Sequence, residues 1–150
     1  MSSAQPKKTS LKTANRPNVK EHASKIMLSV LHTIDATQSA LRVINAEREG
    51  VLMDYTNQIR NKAEHINKAS TGNMPHDQLA FHCLDMCGVI MELHDHFGQL
   101  SYAADKGNIK PYIYKGVSAL IDALVVQTDD LSRIAENKLK DFIAGCTDGR

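Results

Sequence analysis

Apolar residues recur at alternating steps of three and four along most of this chain, the rhythm of helices packed lengthwise against one another. The clearest run is 79–104. Leu79, Cys83, Met86, Ile90, Leu93, Phe97, Leu100 and Ala104 follow at intervals of 4, 3, 4, 3, 4, 3 and 4. A second ring of Phe81, Leu84, Val89, Met91 and Tyr102 lies off that seam, and only Asp85, Glu92, Asp95 and Gln99 make a plainly wettable side. A helix apolar over so much of its circumference needs neighbours on more than one side. The pattern therefore predicts a central helix over about 76–105.

The same rhythm precedes it. Ile26, Val30, Ile34, Thr37, Leu41, Ile44, Arg48, Val51 and Tyr55 keep the spacing, and Ile59, Ala63 and Ile66 extend it after a small slip. One long helix over about 19–69 is the expectation. Gly50 is the obvious place for a bend or break, and a break there would give a four-helix bundle. The register crosses Gly50, however, and an internal Gly costs only about 1 kcal/mol against Ala.

In the last third, Ile113, Val117, Leu120, Leu124, Gln127, Leu131, Ile134 and Lys138 form one seam, with Ile121, Val125, Thr128, Ala135, Leu139 and Phe142 beside it. These predict a helix over about 111–144. The segments 70–75 and 106–111 each pair a Gly with a Pro, the punctuation that stops one helix and starts the next. Gly145 is expected to end the last helix and leave 146–150 frayed.

The predicted fold class is thus all-α, an antiparallel bundle of three long helices over 19–69, 76–105 and 111–144. It forms a single domain over 19–145 behind an N-terminal arm, 1–18. A fifty-residue first helix would be roughly 75 Å long and would overhang its neighbours by about 25 Å. Apolar residues on an overhang need another chain. Val51, Leu52, Tyr55, Ile59 and Ile66 are accordingly the expected partner-binding residues; the alternative is that they fill the chain's own core.

Composition supports helices: no Trp, only three Phe and four Tyr, and 12 Gly and Pro gathered at a few places. No apolar run reaches the roughly 18 residues that span a bilayer. The most apolar segment, 117–126, is interrupted by Asp122. Three cysteines make no disulfide framework. A reducing compartment follows as the expectation, the cytoplasm first and the nucleus as the alternative.

Charge adds one feature. Lys7, Lys8, Lys12, Arg16 and Lys20 give the first twenty residues +5 with no acid, so the rest of the chain sums to −4 within a net +1. A basic arm on a mildly acidic body suits a disordered tail, an acidic partner or nucleic acid. The arm lacks aromatics for base stacking, and no predicted helix shows a basic stripe.

Candidate chemistry is sparse. The seven histidines, His22, His32, His65, His76, His82, His94 and His96, invite a metal reading. Yet no Glu has a His three residues on, and no two histidines are four apart, so the usual helical metal motifs are missing. Cys83 and Cys87 share a helix face and could supply half a zinc site, but two further ligands cannot be named. Cys87 with His94, or Cys83 with His82, could be drawn as a dyad without oxyanion donors. No phosphate loop or dinucleotide fingerprint occurs. No cofactor, metal ligand or catalytic residue is assigned. The expected function is that of a non-enzymatic interaction or structural protein, a subunit or adaptor packing its helices against other chains. The alternatives are a coat-type or nucleic-acid-associated protein using the basic arm, and a helical metal-binding protein.

Overall fold

The computed structural model describes residues 18–43, 46–104 and 111–148, without the side chains of 46–49, 101–104 and 146–148. Four helices account for them: α1 (Val19–Leu41), α2 (Ala46–Ser70), α3 (His76–Ala104) and α4 (Pro111–Asp148). No strand occurs among the described residues, and none of the helices is long and apolar enough to cross a membrane.

The first predicted helix is therefore two. It ends at Leu41, well before Gly50, where the Arg42 N–H turns back to the carbonyls of Gln38 and Ala40 and the Val43 N–H bonds Ala40 at 3.1 Å. Gly50 itself lies inside α2, exposed and with open space around its Cα. Tertiary packing is the physical reason for the fold-back. A straight rod of roughly 75 Å would leave half its seam in water, whereas doubling back lets α1 and α2 bury theirs against each other. The α2 seam is Leu52, Thr56, Ile59, Ala63, Ile66 and Ser70, one position round from the Val51 and Tyr55 that continued the α1 rhythm.

Cross-helix pairs fix the topology. Asp35 meets Arg60 and Lys20 meets Gly72 between α1 and the end of α2; Lys62 meets Asp85 and His65 meets His82 between α2 and α3. Cys87 meets Thr128 and Phe97 stacks on Tyr114 between α3 and α4, and Thr33 meets Gln127 between α1 and α4. Between successive helices the numbers rise on one as they fall on the next, so those neighbours are antiparallel. The packing runs in a ring, α1–α2–α3–α4–α1, with a slighter diagonal contact between α1 and α3. α3 is one of four walls rather than a central rod.

One continuous core lies inside the ring. From α1 come Ala23, Met27, Val30, Ile34 and Leu41, and from α3 come Leu79, Cys83, Met86, Ile90, Leu93 and Phe97, the seam read from spacing alone. α4 contributes Val117, Ile121, Leu124, Leu131 and Ala135, a line that straddles its two predicted seams. The buried Thr37 hydroxyl donates to the Thr33 carbonyl at 2.7 Å. The Thr128 hydroxyl donates to the Leu124 carbonyl at 2.8 Å. Each bond reaches one turn back along its own helix, so neither hydroxyl is buried without an acceptor.

Buried Gln38 pins the fold-back. Its Nε2 donates to Thr56 Oγ1 at 3.0 Å and to Asn57 Oδ1 at 2.8 Å across the α1–α2 contact. Gln38→Ala removes the donor and leaves polar partners unmatched near the core, which costs about 1–3 kcal/mol. A urea-denaturation midpoint reads that loss directly. The start of α1 is similarly fixed by sequence. Asn18 Oδ1 accepts from the Glu21 N–H at 2.8 Å, satisfying one of the donors a helix start leaves free. Glu21 sits in the first turn, where the helix dipole favours an acid.

Candidate interaction surface

The expected docking residues separate when placed on this fold. Leu52, Ile59 and Ile66 are buried in the chain's own core. Tyr55 is half-buried, its ring 4.9 Å from that of His96 on α3. Val51 alone of the five is largely exposed, at 51%. The correction follows from the turn at 42–43: with α2 folded back there is no overhanging first helix, and its apolar seam faces inward. Of the basic residues, Lys7, Lys8, Lys12 and Arg16 lie outside the described residues. Lys20 belongs to α1, where its Nζ donates to the Gly72 carbonyl at 2.9 Å.

An overhang does exist, on α4. That helix has 38 residues, against 29 res in α3. At the ordinary helical rise these lengths are about 57 Å and about 44 Å. Pairing of Cys87 with Thr128 and His94 with Asp122 sets the start of α3 opposite about Leu139, since both helices rise equally per residue. The stretch 141–148 thus runs past the first residue of α3. Gly145, expected to stop the helix, does not: α4 continues through it to Asp148, and no described glycine has a positive φ. A Gly in right-handed geometry weakens a helix without ending it.

A groove of about 380 Å³ opens where α4 passes the start of α3, lined by Asp77, Gln78, Phe81 and His82 from α3 and Leu139, Phe142 and Ile143 from α4. Phe81 is 67% exposed, Ile143 62% and Phe142 48%. Three of the chain's large exposed apolar side chains therefore converge on one place, while Leu28, Val43 and Val126 do not line it. Position i+2 from Leu79 puts Phe81 on the opposite side of α3 from the buried seam. The sequence pattern placed it in a ring needing a partner, and among the described residues it lines the groove.

The helices that form the groove also carry much of the body's acidity. α3 holds Asp77, Asp85, Glu92 and Asp95 and no Lys or Arg; α4 holds six acids, Asp122, Asp129, Asp130, Glu136, Asp141 and Asp148, against Lys115, Arg133, Lys138 and Lys140. Arg133 is taken up by Asp129 and Asp130 on its own helix, and Asp85 by Lys62 of α2. In the groove lining Asp77 is the one formally charged group.

Cys83 and Cys87 lie behind this surface, both unpaired and buried. Burial pushes the Cys83 thiol up to about 12, with the neighbouring Cys87 adding to it. Burial likewise raises Cys87, to about 11, against a lowering contact with Thr128 and further raising by Asp129 and Glu136. Thiols held protonated in this way are poor nucleophiles and poor ligands at neutral pH. Among the described residues no three His, Cys, Asp or Glu side chains are placed to hold a metal ion. His65 stands edge-on to His82, and His94 Nε2 lies 3.5 Å from Asp122. Comparison of the chain with models of protein families, with curated proteins and with solved structures finds no match.

Proposed function

We propose that this is a non-enzymatic helical interaction protein, a subunit or adaptor that binds other protein chains through the groove between the start of α3 and the end of α4. The observation that carries the reading is Phe81, two-thirds exposed and set beside the exposed Phe142 and Ile143 in one apolar depression. Large aromatic and aliphatic side chains grouped on a surface cost solvation until something covers them, and such groups anchor interfaces. Of the residues first expected to serve, on α2, Leu52, Ile59 and Ile66 are occupied with the chain's own core, so the working surface moves to the overhang on α4. Coiled-coil-like packing supplies the mechanism: a partner segment lays an apolar stripe between two antiparallel helices.

Phe81→Asp tests it. The substitution sits at an exposed position, so the helix content and unfolding midpoint should stay within about 0.5 kcal/mol of the parent. Chain recovered from its native source should lose its protein partners with Phe81→Asp and keep them with Val126→Asp, a control at an exposed position outside the groove. Identical partners with both variants would overturn the assignment of the surface. A chain that is a partner-free monomer by light scattering in its native extract would overturn the function.

A further inference from the structure

Two depressions open along one side of α3. The apolar groove at Phe81 lies near its start, and a second, of about 490 Å³, is lined by His94, Asp95, Gly98 and Gln99 further on. Phe81 and Asp95 are about four turns and about 21 Å apart, so they stand on nearly the same line of the helix. Exposed Gly88, with open space around its Cα, lies on that line between them. Half-buried Leu84 and Met91, 45% exposed, turn from it toward Cys87 and His94, the residues that touch α4. Charge tells the two ends of this seam apart. At the apolar end Asp77, Glu136 and Asp141 are nearly offset by Lys138 and Lys140. Further along, residues 84–98 of α3 and the facing 118–132 of α4 hold Asp85, Glu92, Asp95, Asp122, Asp129 and Asp130 and no Lys or Arg. Lys62 takes up Asp85, and Arg133 takes up Asp129 and Asp130. Glu92, Asp95 and Asp122 have no Lys or Arg partner among the described residues. Asp95 and Asp122 instead face His94, at 3.6 Å from Nδ1 and 3.5 Å from Nε2.

We propose that the partner is a basic amphipathic helix of another protein, laid along the outer seam between α3 and α4. One apolar side chain fills the groove at Phe81, and a Lys or Arg about four turns away stands between Asp95 and Asp122. The inference rests on reading the groove as a binding surface and gives its occupant a shape and a sign. Shape follows from the line itself. A straight helix repeats its facing side chains at the same interval as α3 does, so one helix reaches both depressions and covers Met91 between them. Sign follows from the unmatched acids. An apolar strip alone accepts either charge, but carboxylates beside it favour a cationic occupant and repel an acidic one. A second copy's α3 is a poor occupant for the same reason, since it carries Asp77, Asp85, Glu92 and Asp95 and no base.

Binding of labelled synthetic peptides to the full chain, read by fluorescence anisotropy, tests the proposal. The probes are a helix-patterned Leu/Lys peptide of roughly 18 residues, its Leu/Glu counterpart, and a Leu/Lys peptide of the same composition shuffled so that no apolar face forms. The first is expected to bind at least about tenfold more tightly than either of the others. Phe81→Ala should weaken it about tenfold, the loss of one buried anchor. Asp95→Asn with Asp122→Asn should weaken it about fivefold at low salt, with the gap closing as salt rises. Asp54→Asn, at an exposed position on α2, is the control and should leave binding unchanged. Several results would overturn the proposal. Equal binding of the Leu/Glu peptide would remove the sign, equal binding of the shuffled peptide would mean charge alone, and binding of none of them would mean no such site. Losses no larger than that of Asp54→Asn would place the contact elsewhere. Partner recovery from the native source is read separately. Partners lost with Phe81→Asp but kept with the Asn pair would leave the proposed function standing and overturn the basic partner.

Discussion

Ile59→Asp is expected to unfold this protein, whereas Val51→Asp, eight residues earlier on the same helix, should leave it folded. Ile59 is 0% exposed at the middle of the α2 seam, in the one continuous core. The substitution deletes a packed side chain, worth about 2–5 kcal/mol for Ile truncated in a core. It also puts a carboxyl into an apolar core, which adds several kcal/mol whether the group ionises or stays neutral. Together these approach the whole of the roughly 5–15 kcal/mol that holds an ordinary domain together. Val51 is half exposed, and its substitution should change stability by no more than about 0.5 kcal/mol. Circular dichroism at a helix band through a urea titration separates the two. If α2 were the free extension of a single long rod, both variants would keep their helicity, so an intact Ile59→Asp would refute the folded-back topology.

That pair of residues also marks where the sequence was legible and where it was not. The α3 seam, Leu79 to Phe97, was readable in full because a helix buried along one side repeats its apolar residues at a period that no neighbour alters. The connection at 70–75 was readable because Gly and Pro act locally. The break between α1 and α2 was not, because Gly50 drew the expectation away from it. Glycine permits a bend without requiring one, and the turn falls instead after Leu41. A usable signal was present: Asn45 is followed by Glu47 and Glu49, the composition of a helix beginning. Two 4–3 rhythms one position apart, through Val51 and Tyr55 or through Leu52 and Thr56, both fit the letters, and only the partner helix decides between them. The groove was missed for a related reason. Phe142 continued an inward seam and Phe81 belonged to an apolar ring, and which apolar positions go unpaired depends on how far α4 runs past α3. The overhang belongs to the last helix rather than the first, since α1 turns back early and Gly145 does not stop α4.

Alkaline pH should expose the cost of burying two thiols on α3, and the effect should vanish with the thiols. Cys83 and Cys87 have folded-state pKa values of about 12 and about 11, both raised first by burial from an ordinary 9.0. A thiol is neutral when protonated, so below about pH 9 both states hold the proton and the burial contributes no pH dependence. Above that point the unfolded chain releases protons that the folded chain keeps. The unfolded state then binds fewer protons, and stability falls as pH rises until the folded thiols ionise too. At about pH 10.5 each thiol has lost about 1.5 pH units of this difference, about 2 kcal/mol at roughly 1.36 kcal/mol per unit, or about 4 kcal/mol for the pair. Lysines and tyrosines titrate in the same range, so the comparison must be between proteins rather than between pH values. Cys83→Ala with Cys87→Ala should begin less stable at about pH 7.5, by the small cavities it leaves, yet lose about 4 kcal/mol less than the parent on going to about pH 10.5. Urea midpoints at the two pH values give all four numbers. An equal loss in both proteins would mean that the thiols ionise in place, which requires α3 to present its Cys83 and Cys87 edge to water and the α3–α4 contact to be open.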